Sequence, residues 1–91
     1  MPFELRYHPN VKAIDIPRLN VTLRKRIKNA IETRLMTAPH QYGEPLRKTL
    51  KGYWKLRVGD YRVVFKISGN EVRIYGIINR KDVYEKIFKR L

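Results

Sequence analysis

The stretch from Tyr53 to Ile78 reads YWKLRVGDYRVVFKISGNEVRIYGII, three alternating runs separated by Gly59-Asp60 and Gly69-Asn70. Two-residue loops containing Gly are the strongest short-range mark of an antiparallel hairpin. If both close as written, Val58 faces Tyr61, Arg57 faces Arg62, Leu56 faces Val63 and Lys55 faces Val64. Across the second turn Ile67 faces Val72, Lys66 faces Arg73 and Val64 faces Tyr75. Opposite charges in such positions stabilise a sheet by about 0.2–1 kcal/mol, whereas like charges destabilise it. A sheet that sets Arg57 against Arg62 and Lys66 against Arg73 is built to hold an anion.

Alternation then divides the side chains between two faces. Trp54, Leu56, Val58, Tyr61, Val63, Phe65, Ile67, Val72, Ile74, Gly76 and Ile78 form an apolar face, a core. The opposite face collects Tyr53, Lys55, Arg57, Arg62, Val64, Lys66, Arg73, Tyr75 and Ile77. Trp54 belongs to the core on this reading, not to a base-stacking platform.

The rest of the chain must cover the apolar face. Phe3, Leu5 and Tyr7 alternate with Glu4 and Arg6 and predict an opening strand that His8-Pro9-Asn10 ends. A short helix is expected from Val11 to Ile16, stopped by Pro17. Asn20 or Thr22 caps a longer helix running to about Met36, with Leu23, Ile27, Ala30, Ile31 and Leu35 on one stripe. Residues 37–45 are rich in breakers and read as a connecting loop. Leu46 to Leu50 lead in as an edge segment, and Gly52 sets up the turn into the sheet. Asp82 caps a closing helix to Leu91, with Val83, Ile87 and Leu91 inward. The expected architecture is α+β: a small single domain over residues 1–91, an antiparallel twisted sheet with the N-terminal helices on one face, a concave basic face left open, and a C-terminal helix.

Composition narrows the function. With 91 residues, 43% of them hydrophobic, there is room for one modest core. No run of about 18 apolar residues and no signal-peptide pattern is present, so a cytoplasmic protein with no membrane partner is expected. The absence of Cys removes Cys-based zinc or redox chemistry, and no metal or other cofactor is expected. Against 8 Asp and Glu stand 21 Lys and Arg, a net +13, which points to nucleic acid or another polyanion. His8 and His40 lie in turns with nothing in their spacing to bring them together, so chemistry on a histidine pair is not expected.

The helix KRIKNAIE, the segment KGYWKLRVGDYRVVFKI and the ending INRKDVYEKIFKRL, in this order and over nearly the whole chain, resemble the RelE/ParE superfamily of bacterial toxins. The R-x-D-V-Y ending is more similar to the RelE branch, whose members cut messenger RNA on the ribosome, than to the ParE branch, whose members poison DNA gyrase. The resemblance implies a type II toxin whose catalytic set falls on Lys55, Arg57, Arg62, Arg80 and Tyr84, with Arg57 standing where well-studied members have a lysine. It also implies an acidic antitoxin partner that wraps the toxin and neutralises it.

The implied reaction is attack of an RNA 2′-hydroxyl on the neighbouring phosphate in the ribosomal A site. It needs an acceptor for the hydroxyl proton, positive charge around phosphorus and help for the leaving oxygen. Lys55 is the candidate base, because Arg57 and Arg62 beside it disfavour its ammonium form, and it is otherwise a phosphate binder. Arg57 and Arg62 would clamp the scissile phosphate, Arg80 would serve the leaving oxygen, and Tyr84 would offer a stacking ring or a hydroxyl. Lys66, Arg73, Tyr53, Tyr75 and Lys81 are the candidate RNA contacts around them. Glu44, in the loop, is a turn residue with a reserve role as general base, and Asp60 belongs to its turn. A gyrase-inhibiting toxin and a basic nucleic-acid-binding module without activity remain the alternatives.

Overall fold

Both Gly turns close as the sequence predicts. Gly59 has φ +59° and Gly69 φ +60°, the left-handed region that glycine enters without steric cost. The computed structural model describes residues 2–46 and 51–91. In it β3 (Trp54–Val58), β4 (Tyr61–Ser68) and β5 (Glu71–Asn79) form consecutive hairpins. Arg57 is paired with Arg62 and Lys66 with Arg73, as expected. The opening strand β1 (Glu4–Tyr7) runs parallel to β5, and the two-residue β2 (Glu44–Pro45) pairs with β3, giving the sheet order β1-β5-β4-β3-β2.

The register departs from expectation at one point. Phe65 pairs with Ile74, but Val64 pairs with Gly76, so Tyr75 is the extra residue of a β-bulge and does not face Val64. An extra residue inverts the parity of everything beyond it. Gly76 and Ile78 therefore leave the predicted core face, and Ile77 joins it beside Leu56 and Val63.

That core lies between the sheet and the N-terminal helices. In α1 a π-helical stretch, Val11–Asp15, continues through Ile16–Arg18, so Pro17 does not stop the helix. Pro17 lies inside this continuous helix, which ends one residue beyond it at Arg18, where Leu19 turns to extended backbone. The α2 helix (Val21–Ala30) begins at Asn20, whose Oδ1 accepts the Leu23 N–H at 2.8 Å, and it continues as a π-helical turn, Ile31–Leu35. Ile27, Ala30, Ile31 and Leu35 are buried on the predicted stripe. The breaker-rich segment is more ordered than a loop: α3 (Pro39–Tyr42) and β2 both lie within it. Leu46 is buried, while the rest of the predicted edge segment, residues 47–50, lies outside the described residues.

The opposite face is not left open. The C-terminal helix α4 (Val83–Arg90) packs Val83 and Ile87 onto Val64, Ile78 and Leu46 in a second, smaller core. Burying an Ile or Val side chain contributes about 1.5–3 kcal/mol, which explains why the apolar residues on this face recruit the helix. Asp82 stands at the N-cap position, but its side chain makes no capping bond and lies 3.9 Å from Lys86 instead. Leu91 is exposed rather than inward.

One polar contact ties the two layers together. β1 ends beside Ile74, leaving the outer edge of β5 without a strand neighbour at Ile77. Buried Asp15 accepts the Ile77 N–H at 2.9 Å and is gripped by Arg90 through both carboxylate oxygens, at 2.6 and 2.7 Å. Arg90 also donates to the Tyr75 carbonyl at the bulge, 2.9 Å away. Among the described residues, no helix is long and apolar enough to cross a membrane.

Candidate nucleic-acid interface

Strand alternation puts Lys55 and Arg57 on the α4 side of β3, and pairing places Arg62 opposite Arg57. Beyond the bulge, β5 ends at Asn79 and the chain turns toward α4. Arg80 is held at that turn: its N–H donates to the Asp60 carbonyl at 2.8 Å, and its Nε lies 3.9 Å from the Asp60 carboxylate. Tyr84 comes from the first turn of α4, half-buried against the second core. Lys55, Arg62, Arg80 and Tyr84 thus line one cleft of about 380 Å³, closed at one side by Pro45, Leu46 and Val83. Arg57 is not among these lining residues. It borders an adjoining cleft of about 220 Å³ that Lys55 and Arg62 share.

The two like-charged pairs resolve differently. Glu71 lies 3.0 Å from Arg73 Nε and 3.7 Å from Arg6 Nε, and its hydrogen bond and charge push the Arg73 guanidinium further from losing its proton. Lys66 Nζ sits 5.2 Å from the centre of the Tyr53 ring, a cation–π contact. At Arg57 and Arg62 no carboxylate lies within ion-pair distance among the described residues. Arg62 Nη1 donates to the Gly59 and Tyr61 carbonyls, each at 3.0 Å, which fixes the guanidinium while Nε and Nη2 keep their donors.

The remaining predicted contacts do not join the cleft. Tyr53 and Tyr75 meet edge to face at 5.3 Å near Lys66 and Arg73, toward the Gly69 end of the sheet. Burial, and secondarily Tyr75, raises the Tyr53 phenol above its ordinary 10.0. Tyr75 and Arg73 border a separate pocket of about 290 Å³ with Arg6 and His8. Lys81 is exposed on the turn before α4. The histidines stay apart: His8 Nδ1 accepts the Asn10 N–H, and the His40 ring lies 5.7 Å from Trp54 and 6.5 Å from Phe3.

Sequence reasoning missed Arg34 and Tyr42, which border the adjoining cleft, and placed Glu44 in a loop. Glu44 lies instead in β2, paired with Lys55, and borders the same cleft. A two-residue strand that follows Gly43 and contains Pro45 carries no periodicity, so only its partner strand could have revealed it.

Known proteins share both the sequence and this arrangement of elements. Residues 6–84 match the family model of the ParE toxin of type II toxin–antitoxin systems. The chain belongs to this family. A 40-residue segment of the toxin is 45% identical to Toxin RelE of Mycobacterium tuberculosis, spanning 44% of this chain and 41% of that protein's length. The toxin fold is shared with the RelBE2 toxin–antitoxin complex of Mycobacterium tuberculosis, at TM-score 0.76 and 24% identity over 88% of this chain and 100% of that one. An arginine-to-alanine double mutant of E. coli toxin RelE in its free state aligns at TM-score 0.75 and 18% identity over 100% and 99% of the two chains. The chain belongs to the RelE/ParE toxin superfamily and has the α+β fold of its solved members.

Proposed function

We propose that this toxin is a ribosome-dependent endoribonuclease that cuts messenger RNA in the A site and so stops translation. The observation that carries the reading is the convergence of Lys55, Arg62, Arg80 and Tyr84 on one cleft, with Arg57 paired to Arg62 at its border. In the proposed reaction Lys55 takes the proton of the 2′-hydroxyl. The 2′-oxygen attacks phosphorus and the bond to the 5′-oxygen of the next nucleotide breaks; that oxygen takes a proton from water, leaving a 2′,3′-cyclic phosphate and a 5′-hydroxyl. Arg62 and Arg57 hold the non-bridging oxygens as charge builds there, a preorganised electrostatic contribution. Arg80, aligned by Asp60, serves the leaving oxygen, and the Tyr84 ring stacks on a splayed base. Lys66, Arg73, Tyr53, Tyr75 and Lys81 would contact RNA outside the reacting nucleotides.

The net charge also points to a protein partner. An acidic antitoxin would neutralise the +13 chain. The groove between α1 and α2, where Ile16, Leu19, Ile27 and Ile31 are rimmed by Lys12 and Lys28, suits an amphipathic segment with acidic flanks. The RelBE2 structure is itself a toxin–antitoxin complex, which supports this reading.

The test is cleavage of a defined message in the A site of purified ribosomes by toxin freed of any partner. Wild type should cut, Arg62→Ala should lose at least about 100-fold in rate, the scale of losing one charge-stabilising donor, and Lys55→Arg should fail if Lys55 is the base. Cutting retained in Lys55→Arg would make Lys55 a phosphate binder. The family match to ParE toxins favours a second reading, gyrase inhibition. Intact message together with blocked DNA supercoiling would move the assignment there.

A further inference from the structure

The cleavage cleft does not end at Arg62. The adjoining cleft of about 220 Å³ shares Lys55 and Arg62 with it and is bordered by Arg34, Tyr42 and Arg57 and, on β2, by the acidic Glu44. A third cleft, of about 380 Å³, shares Arg34 and Arg57 with the second and runs between α2 and the β3–β4 turn, where Arg26, Asn29 and Thr33 line it. Successive clefts share lining residues and so adjoin one another, a trough in three parts. Arg26, Asn29, Ala30, Thr33 and Arg34 recur at the three- and four-residue spacing of one helical stripe, so α2 turns a single polar ridge toward it.

The chemistry of the far end is that of a phosphate site. Arg26 and Arg34 are exposed, and among the described residues neither has a carboxylate within ion-pair distance. The Arg26 guanidinium lies against the β3–β4 turn, where a Cβ on Gly59 would come within 3.3 Å of Nη1. Between the two ends Tyr42 is 51% exposed, with the Arg34 guanidinium 5.8 Å from its ring. Alternating guanidinium groups and an exposed aromatic are what a single strand uses, backbone on the cations and a base on the ring.

We infer that Arg26 and Arg34 form a second phosphate-binding site, which holds the backbone of the substrate RNA strand away from the scissile phosphate while Tyr42 stacks a base between the two. This rests on the endonuclease reading and extends it: the toxin grips several nucleotides of its substrate, along a path that leaves the cleavage cleft toward α2.

The test is binding by the full chain of 2′-O-methyl oligouridines, which cannot be cut, from dinucleotides to about ten nucleotides, at several salt concentrations. Wild-type affinity should climb with length. In Arg26→Gln/Arg34→Gln the climb should flatten and the salt slope should shrink by about 1.4, or about 0.7 for each phosphate no longer neutralised. Dinucleotide binding and kcat on ribosomes should stay unchanged while KM rises, and the double Lys variant should restore the slope. Equal binding of long oligonucleotides by wild type and the Gln variant would overturn the inference. So would a variant that loses affinity only for ribosomes without message, since the phosphates would then be ribosomal. A wild type that cuts nothing yet shows the Arg26- and Arg34-dependent climb would sustain the trough and remove the nuclease reading.

Discussion

Among the basic residues of the sheet, partners separate scaffold from site. Lys66 and Arg73 face each other in the same manner as Arg57 and Arg62, yet Glu71 and the Tyr53 ring absorb their repulsion. Arg62 is anchored by carbonyls alone and stands opposite Arg57. Two tyrosines carry a pH signature. Tyr7 is raised above its ordinary 10.0 by burial and then by the Glu32 charge, and Tyr53 by burial and then by Tyr75. A phenol whose folded value lies above its unfolded one contributes stability that is whole below about pH 10 and is lost as pH rises through the folded value. Urea unfolding between neutral and strongly alkaline pH should show that loss, and Tyr7→Phe should make the alkaline limb shallower. An unchanged limb in Tyr7→Phe would show that Tyr7 ionises alike in both states.

At the level of elements, the bulge at Tyr75 decides where α4 can sit. It brings Gly76 and Ile78 onto the α4 face, and Gly76 leaves the space that Ile87 fills. A Cβ on Gly76 would lie 3.0 Å from Ile87 Cδ1 and 2.7 Å from Ile78 Cδ1, with Ile78 Cγ1 at 3.1 Å. Gly76→Ala should therefore cost about 1–3 kcal/mol, as overpacking of a filled core does, measured by urea denaturation. On the proposed nuclease reading the same change should also slow cutting on ribosomes, because α4 carries Tyr84. A variant as stable as wild type would mean that α4 is not seated on Gly76 as described.

Across the whole molecule, the Asp15–Arg90 pair joins the first helix, the uncovered edge of β5 and the last helix. Both side chains are nearly sealed from solvent, at 5% and 7% exposure. Removing one member of a buried pair costs about 3–5 kcal/mol, chiefly because the other charge is left uncompensated. Arg90→Ala should show a loss of that order in equilibrium unfolding. Adding Asp15→Asn should recover part of it, since Asn still offers an oxygen to the Ile77 N–H without a buried charge. Equal stability of Arg90→Ala and its double variant would show that Asp15 carries no penalty when alone.

The hairpins, their turns, an α2 cap narrowed to Asn20 or Thr22 and the α2 stripe were legible in the residues because each depends on neighbours a few positions apart. So was the opposition of Arg57 and Arg62, since a two-residue turn sets register without help from the rest of the fold. The bulge was not legible: Tyr75-Gly76-Ile77-Ile78 is compatible with either parity, and packing of α4 against Gly76 selects one. The two adjoining clefts were legible in part as residue types but not as places, because Arg80 and Tyr84 of one and Glu44 and the missed Arg34 of the other come from separate elements. Nor could alternation foresee Asp15, an acid 62 residues from the Ile77 N–H it accepts and 75 from Arg90. Local periodicity encodes which face a side chain takes, whereas the meeting of distant polar groups depends on how whole elements pack.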